Sequence, residues 1–519
     1  MPRPTAVESW ILITRSALLV GGTAILVRAL WNTLWSPLAR QRIPGPLLAA
    51  LSDVWYQWHG VRGTRVHAIH ALFAQYGPVV RIGPNRVALN DAHAAHEVYR
   101  THAFRKGVWY RLFTVRGLPN SFNTPDPVEH AQMRRWSAPA FRGDRLRAAG
   151  AALAPEMDDL VRRLRKECAG GAAVDTMYLF RRLSLDMLGI AVLGTNFQQI
   201  ATGRDHEYLK NSTLWAIGKA MSTYLPSIFM HILHIVPSQK LQDMFGAEDQ
   251  MHAVVGKLYD VADAEKSEGR SGSVLTGIKA YIEPATGVPP SRDLAVSEAM
   301  VIIMAGVNTT TVTLVYICLG LARCPHIWSA LREELATVPA EMKYDVDVLR
   351  RLPYLNAMLK EYLRVDGTAN VFLERTVPSE GAELAGYRLP GGTYVGAQAY
   401  SMHRDASVFP DPLQIDPERW VRPLPGKPGQ WVERDDISEA ARVAYNPFSQ
   451  GVRACVGKPL AEIELLLCVA TIVRHFKIAL HDSATPESMF PVDILGLRPR
   501  SGRCLLHFEN CPLDLGQHH

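Results

Sequence analysis

Two stretches of the chain run apolar almost without interruption, and what interrupts each decides its solvent. Trp10 to Trp35 is broken by Arg15, Arg28 and a few neutral polar residues. A bilayer core asks for about 20 apolar residues, a length that Trp10 to Trp31 meets. Arg15 would cost roughly 2.5–3.5 kcal/mol at the middle of a span, less where its long side chain snorkels from near the end. No small-residue cleavage site follows the apolar core, which argues against a removed signal peptide. Arg28 near the end of the run, with Arg40 and Arg42 beyond it, outweighs Arg3 before it, a bias that places the rest of the chain in the cytosol. The expected division is therefore a luminal N-terminus over 1–9, a transmembrane anchor over 10–31, a proline-containing hinge over 32–48 that includes "RIPGP", and one large domain over 49–519.

The second run, Ala299 to Ala322, carries no formal charge and passes the same length filter. Its middle reads "AGVNTTT", polar groups that lipid penalises unless they are paired. Ser291 or Asp293 can cap its start, and Pro325 follows its end. These signals predict a helix buried through the core of a protein rather than a second span.

Helical spacing recurs elsewhere with charge in it. In "EHAQMRRWSAPAF", His130 and Arg134 stand at i, i+4 on one face; in "LKEYLR", Glu361 and Arg364 stand at i, i+3, close enough to pair. Taken singly, each is a common feature of a solvated helix surface. A different arrangement surrounds Cys455 in "FSQGVRACVGKPLAEIEL". An isolated cysteine usually packs as a small hydrophobe. Here Gly451 and Gly457 free the backbone on both sides of the sulfur, Arg453 offers a cation, and a helix starting after Gly457 directs its N-terminal amides at a negative sulfur. A thiolate on a tight loop, beside a cation and facing a flat acidic partner, points to haem ligation.

The pattern Phe448-x-x-Gly451-x-Arg453-x-Cys455-x-Gly457 resembles the haem-binding signature of the cytochrome P450 family. Further elements resembling the family lie in its order along the chain. "DPERW" is similar to its P-E-R-F element, with Trp420 in place of phenylalanine, so the resemblance implies a buried triad of Glu361, Arg364 and Arg419. "FLERTVP" places Arg375 where the family has a propionate ligand, and His130 and Arg134 match propionate contacts. The resemblance implies a mainly α fold with a small β region, the cytochrome P450 haem-thiolate fold, with haem b (iron-protoporphyrin IX) as cofactor and Cys455 as the axial ligand of its iron. Phe448, Gly451, Arg453, His130, Arg134 and Arg375 would hold the rest of the cofactor.

The run Ala299–Ala322 resembles the family's long central helix, which crosses the haem face opposite the cysteine. Its oxygen-activation element appears as Ala305-Gly306-Val307-Asn308-Thr309, with Asn308 where an acid is usual. Ala305 and Gly306 would leave room for dioxygen, and Thr309 would hold the water that delivers protons. Asparagine orients water but does not titrate. Proton supply is then slower, routed elsewhere or less important to an unusual reaction; the competing reading makes Asn308 the cap of a kink.

Trp109, Phe113 and Phe122 fall in a region similar to the family's substrate-facing loop, and Val371, Phe372 and Leu373 precede the propionate arginine. Tyr224 to Pro237 is similar to its membrane-touching lid. Each is also ordinary core material, but together they imply a lipophilic substrate. The stretches "AFRKGVWYRLF" and "SFNTPDPVEHAQMRR" look most like fungal pisatin demethylase-like members, which implies oxidation of a terpenoid, polyketide or alkaloid in secondary metabolism.

Composition adjusts this picture at its edges. Over 519 residues the net charge of +6 and pI near 8.9 are spread along the chain, which gives nucleic-acid binding little support. Arg134, Arg135, Arg142, Arg145 and Arg147 form a basic cluster, either a dock for an acidic electron donor or a solvated helix face. Seven cysteines without regular spacing fit a reducing compartment. The stretch after Cys455 is too short for a flavin-binding domain. The expectation is thus a monooxygenase in the endoplasmic reticulum membrane, single-pass with a cytosolic catalytic domain. It would be fed from NADPH by a separate NADPH-cytochrome P450 reductase, with cytochrome b5 as a possible second donor. The alternative is a haem-thiolate isomerase, dehydratase or oxidative-coupling enzyme, motivated by Asn308; a non-catalytic haem carrier leaves the oxygen groove unexplained.

Overall fold

Apolar residues at helical spacing along most of the chain fold into helices, and the strands are short and few. In the computed structural model, the described residues are 6–225, 227–264, 272–284, 287–427 and 429–513. The expected luminal stretch begins in 1–5, outside the described residues. The chain divides into two units, one of Met1–Arg105 with Phe372–Gln398 and a larger one of Lys106–Val371 with Ala399–His519.

The smaller unit opens with the helix Ala6–Leu34. Its apolar side chains are exposed, Leu18 at 76% and Ile25 at 72%, so its length and composition suit a membrane span. The segment read as a hinge is tied down: the Arg81 N–H donates to the Pro44 carbonyl at 2.8 Å, and the Arg81 guanidinium donates to the Asn32 carbonyl at 2.8 Å. Val79–Gly83 and Arg86–Leu89 form an antiparallel hairpin in which Val79 faces Leu89, with an irregularity between Arg81 and Gly83. Arg86–Leu89 runs parallel to Tyr394–Ala397, which pairs antiparallel with Arg375–Thr376. Tyr56, Ile69, Phe73, Val80, Ile82 and Phe372 pack beneath this sheet.

In the larger unit the charge-free run lies in a helix from Arg292 to Arg323 whose residues are mostly buried. Ser291 caps it, accepting from the Leu294 N–H, and Cys324 ends it immediately before Pro325 opens the next helix. This central helix packs against Thr176–Leu188, Pro353–Asp366 and the helix Lys458–His475. Phe476–Leu480 pairs antiparallel with Leu505–Asn510, which also pairs with Val174–Asp175. Helix Ser227–Ile235, within the apolar patch expected as a lid, exposes Ile228, Phe229, Ile232 and Ile235.

Candidate active site

The loop before Lys458 bends because two residues take left-handed backbone. Gly451 has φ 70°, which glycine adopts at no cost, and Ser449 has φ 58°. Gly457, expected to be a second conformational release, has an ordinary φ of −80° and serves as the N-cap of Lys458–His475. The bend is closed by the Cys455 N–H donating to the Phe448 carbonyl at 3.0 Å and the Ala454 N–H to the Gly451 carbonyl at 3.1 Å.

Cys455 is exposed by surface area, yet burial among protein groups pushes its thiol above the ordinary value. The two observations agree if the sulfur faces a space enclosed by protein. Backbone N–H groups of Gly457 and Lys458, together with the Arg134 charge, act the other way and favour the thiolate. The helix N-terminus acts in the expected direction, and desolvation outweighs it.

His130 and Arg134 lie on the helix Pro127–Ser137, which Asp126 caps by accepting from the Val128 and Glu129 N–H groups. His130 is buried. Burial lowers the affinity of the Arg134 guanidinium for its proton, while Cys455 and Glu298 raise it, so this cation stands within electrostatic reach of both the sulfur loop and the central helix. The Arg453 guanidinium donates to the Asp126 carbonyl at 3.4 Å, joining the sulfur loop to the same helix.

In the middle of the buried central helix, Ala305, Asn308 and Thr309 are exposed and Gly306 is half-exposed. A patch of exposure with buried turns before and after it marks a helix face that lines an internal space. The Thr309 hydroxyl donates to the Ala305 carbonyl at 2.8 Å. The helix continues through Asn308 unbroken. Gly306 looks elsewhere: a Cβ there would stand 2.7 Å from a Leu188 methyl, so its smallness serves the approach of Thr176–Leu188 rather than the open face.

Around the expected triad the structure brings Glu361, Arg364 and Arg419 together. Arg364 reaches Glu361 at 2.7 and 3.0 Å with both side chains fully buried, and Arg419 reaches it at 3.3 Å. Two further members were not legible. The Trp420 indole donates to the second Glu361 oxygen at 2.8 Å. Arg364 donates to the His403 carbonyl at 2.6 Å, and the His403 ring lies 2.9 Å from the Arg364 carbonyl through Nδ1 while Nε2 accepts from the Asn446 N–H at 3.0 Å. Burial holds this imidazole neutral, its pKa lowered to about 3. Nδ1 therefore carries the proton, and a continuous set of bonds runs from the ion cluster to Asn446, whose carbonyl accepts from Ser449 in the cysteine loop.

Trp109 and Phe113 sit on a short 3-10 turn, Val108–Phe113. Their rings are 4.7 Å apart, and Phe122 stands 5.2 Å from Phe113 and 5.4 Å from Tyr110. Lys106 lies 4.4 Å above Phe122, and Trp215 closes the group at 6.3 Å from Phe113. Val371 is half-buried. In the smaller unit, Phe372 is spent in the core, edge-on to Tyr56. The Leu373 carbonyl accepts from Tyr99, and Arg375 is buried with its guanidinium 4.9 Å over the Tyr99 ring.

On the central helix Thr310 donates to Glu464 at 2.9 Å. Glu464 is fully buried, its pKa pushed up to about 8 by desolvation, and the sequence reading passed over it. Of the basic cluster, Arg135 pairs with Glu283 at 3.2 Å and Arg147 with Asp144 at 2.5 Å.

The donor set of the larger unit fits a flat, doubly acidic macrocycle with a central metal: one soft sulfur on a pinched loop, Arg134 and Arg453 within reach of that loop, and a helix face of small and neutral polar residues. The family model for cytochrome P450 matches residues 45–505. The chain is 28% identical over 488 residues to the cytochrome P450 monooxygenase cypX of Dothistroma septosporum, covering 92% of each chain. It is 27% identical to the cytochrome P450 monooxygenase stcB of Emericella nidulans over 90% of this chain and 88% of the relative. To tryprostatin B 6-hydroxylase of Aspergillus fumigatus it is 29% identical, over 89% and 78%. A crystal structure of a cytochrome P450 superposes with a TM-score of 0.71 at 17% identity, over 86% of this chain and 94% of that one, a likeness of fold. With the family model spanning most of its length, the chain belongs to the cytochrome P450 family of monooxygenase enzymes, which implies haem as cofactor, a small-molecule substrate and a redox partner.

Proposed function

We propose that the protein is a haem-thiolate monooxygenase that inserts one atom of dioxygen into a lipophilic fungal secondary metabolite. The observation that carries this reading is Cys455 on its pinched loop, with the N–H groups of Gly457 and Lys458 and the charge of Arg134 favouring its thiolate against desolvation. The name of one relative, tryprostatin B 6-hydroxylase, supports a hydroxylation of this kind, and the fungal sources of the relatives support secondary metabolism.

When bound, haem supplies the binding and reductive activation of dioxygen. Cys455 would hold its iron, and Arg134, Arg453 and His130 its propionates. Thr309 would pass protons at Oγ1 by exchanging its bond to the Ala305 carbonyl for one to water. Asn308 would orient that water without supplying the proton. Trp109, Phe113 and Phe122 would form an apolar wall that excludes water and selects for flat, lipophilic molecules. Electrons would come from NADPH through a separate reductase, with the exposed helix Ala6–Leu34 anchoring the enzyme in the endoplasmic reticulum membrane.

Asn308 favours a second reading, an isomerase, dehydratase or coupling enzyme that adds no oxygen. Mass spectrometry of the native host with and without this protein separates the two. A precursor lighter than the lost product by one oxygen supports the monooxygenase. Equal masses, or a difference of water or hydrogen alone, would replace it with the second reading.

A further inference from the structure

Glu298 lies on the central helix seven residues before Ala305 and eleven before Thr309, spacings that put all three on one helix face. It is 1% exposed. A carboxylate so buried requires partners, and its partners come from two other elements. Both the N–H and the hydroxyl of Ser121 donate to it, one to each oxygen, the N–H at 2.8 Å. Arg134 and Ser137, on the helix Pro127–Ser137, also favour its charged form, against desolvation that disfavours it.

Ser121 belongs to a tight turn whose inner bonds are made by two asparagines. Asn120 accepts from the Phe122 and Asn123 N–H groups, Asn123 accepts from the Asn120 N–H at 2.8 Å, and the Asn120 amide donates to the Phe113 carbonyl at 2.8 Å. Lys106 donates to the Phe122 carbonyl. These contacts shape the turn and tie it to the aromatic group, whereas the double bond from Ser121 fixes it to the central helix. Phe122 is the next residue, and its ring packs on Tyr110 and Phe113.

We propose that Glu298 is a positioning residue for substrate: its carboxylate pins the Ser121–Phe122 turn to the central helix and thereby sets where the Phe122 ring stands relative to the helix face that carries Ala305 and Thr309. The proposal rests on the reading of the Phe122 wall as substrate-lining. Glu298→Gln keeps the size but replaces one acceptor with an amide that meets a donor, and Ser121→Ala removes the hydroxyl alone.

The test uses the full haem-loaded chain as wild type and as Glu298→Gln, Ser121→Ala and Phe122→Ala. Two quantities are read: backbone hydrogen exchange over 117–125, and the affinity ratio of phenylimidazole to imidazole from the shift of the haem absorption band. In Glu298→Gln and Ser121→Ala, exchange should quicken by about tenfold, and the ratio should move about tenfold in the direction given by Phe122→Ala. Imidazole itself, too small to reach the wall, should bind as in wild type. Unchanged exchange in both variants overturns the clamp. A ratio that moves in Phe122→Ala but in neither of the other two overturns the positioning role while leaving the wall intact. A ratio unmoved even by Phe122→Ala removes the wall and the proposal with it. If Glu298→Gln does not fold, Ser121→Ala decides by the same criteria.

Discussion

At single residues, the chemistry of a side chain was easier to anticipate than its partners. Glu361 and Arg364 stand one helical turn apart, so their pairing follows from spacing alone. Trp420 was legible only as a bulky aromatic, because nothing in "DPERW" reveals that its indole N–H shares a Glu361 oxygen with Arg364. Trp420→Phe should therefore cost about 1–3 kcal/mol, the penalty for a buried carboxylate short of one donor, seen as a lower urea midpoint at unchanged slope. Cys455→Ser should abolish the thiolate-type spectrum of the reduced carbon-monoxide complex, and an unaltered spectrum would remove the ligand assignment. The glycines were only partly legible for a related reason. A glycine can be present for its backbone or for its missing Cβ, and sequence does not separate the two: Gly451 is the first case and Gly306 the second.

Among elements, the central helix shows which signals survive in sequence. By length and hydropathy it is indistinguishable from a membrane span. The polar block in its middle and the caps at its ends carried the distinction, since lipid offers such groups no partners. Its contact with Thr176–Leu188 was not legible, because packing between helices distant in sequence leaves no periodic trace. Gly306→Ala should push on Leu188 and lower stability by about 1–3 kcal/mol, measured as a drop in melting temperature. The turn at 120–123 was equally hidden. Its asparagines read as generic loop residues, and only the fold shows that they shape a turn against a carboxylate on the central helix.

Over the whole molecule, buried titratable groups give stability a definite dependence on pH. Glu464 is pushed up to about 8, and Glu156 and Glu334 to about 7, in each case by burial, from an ordinary value of 4.5. Folding takes up their protons above pH 4.5, so stability falls as pH rises towards 8. His403, lowered to about 3 from 6.5, acts oppositely and only as pH falls below 6.5. Between pH 6.5 and 8 the carboxyl effect stands alone among these four groups. The urea midpoint of wild type should decline there, and that of Glu464→Gln should decline less. The division of the chain has its own bearing on how the enzyme is made. Arg86–Leu89 takes Tyr394–Ala397 as its parallel neighbour, and that strand leaves the ribosome only after most of the larger unit has been synthesised. At 5–20 residues per second the wait is about 15–60 seconds, during which the nascent chain presents an unpaired strand edge. Newly made copies in that interval are clients for chaperones, and the yield of enzyme should respond to the rate of translation through residues 90–393.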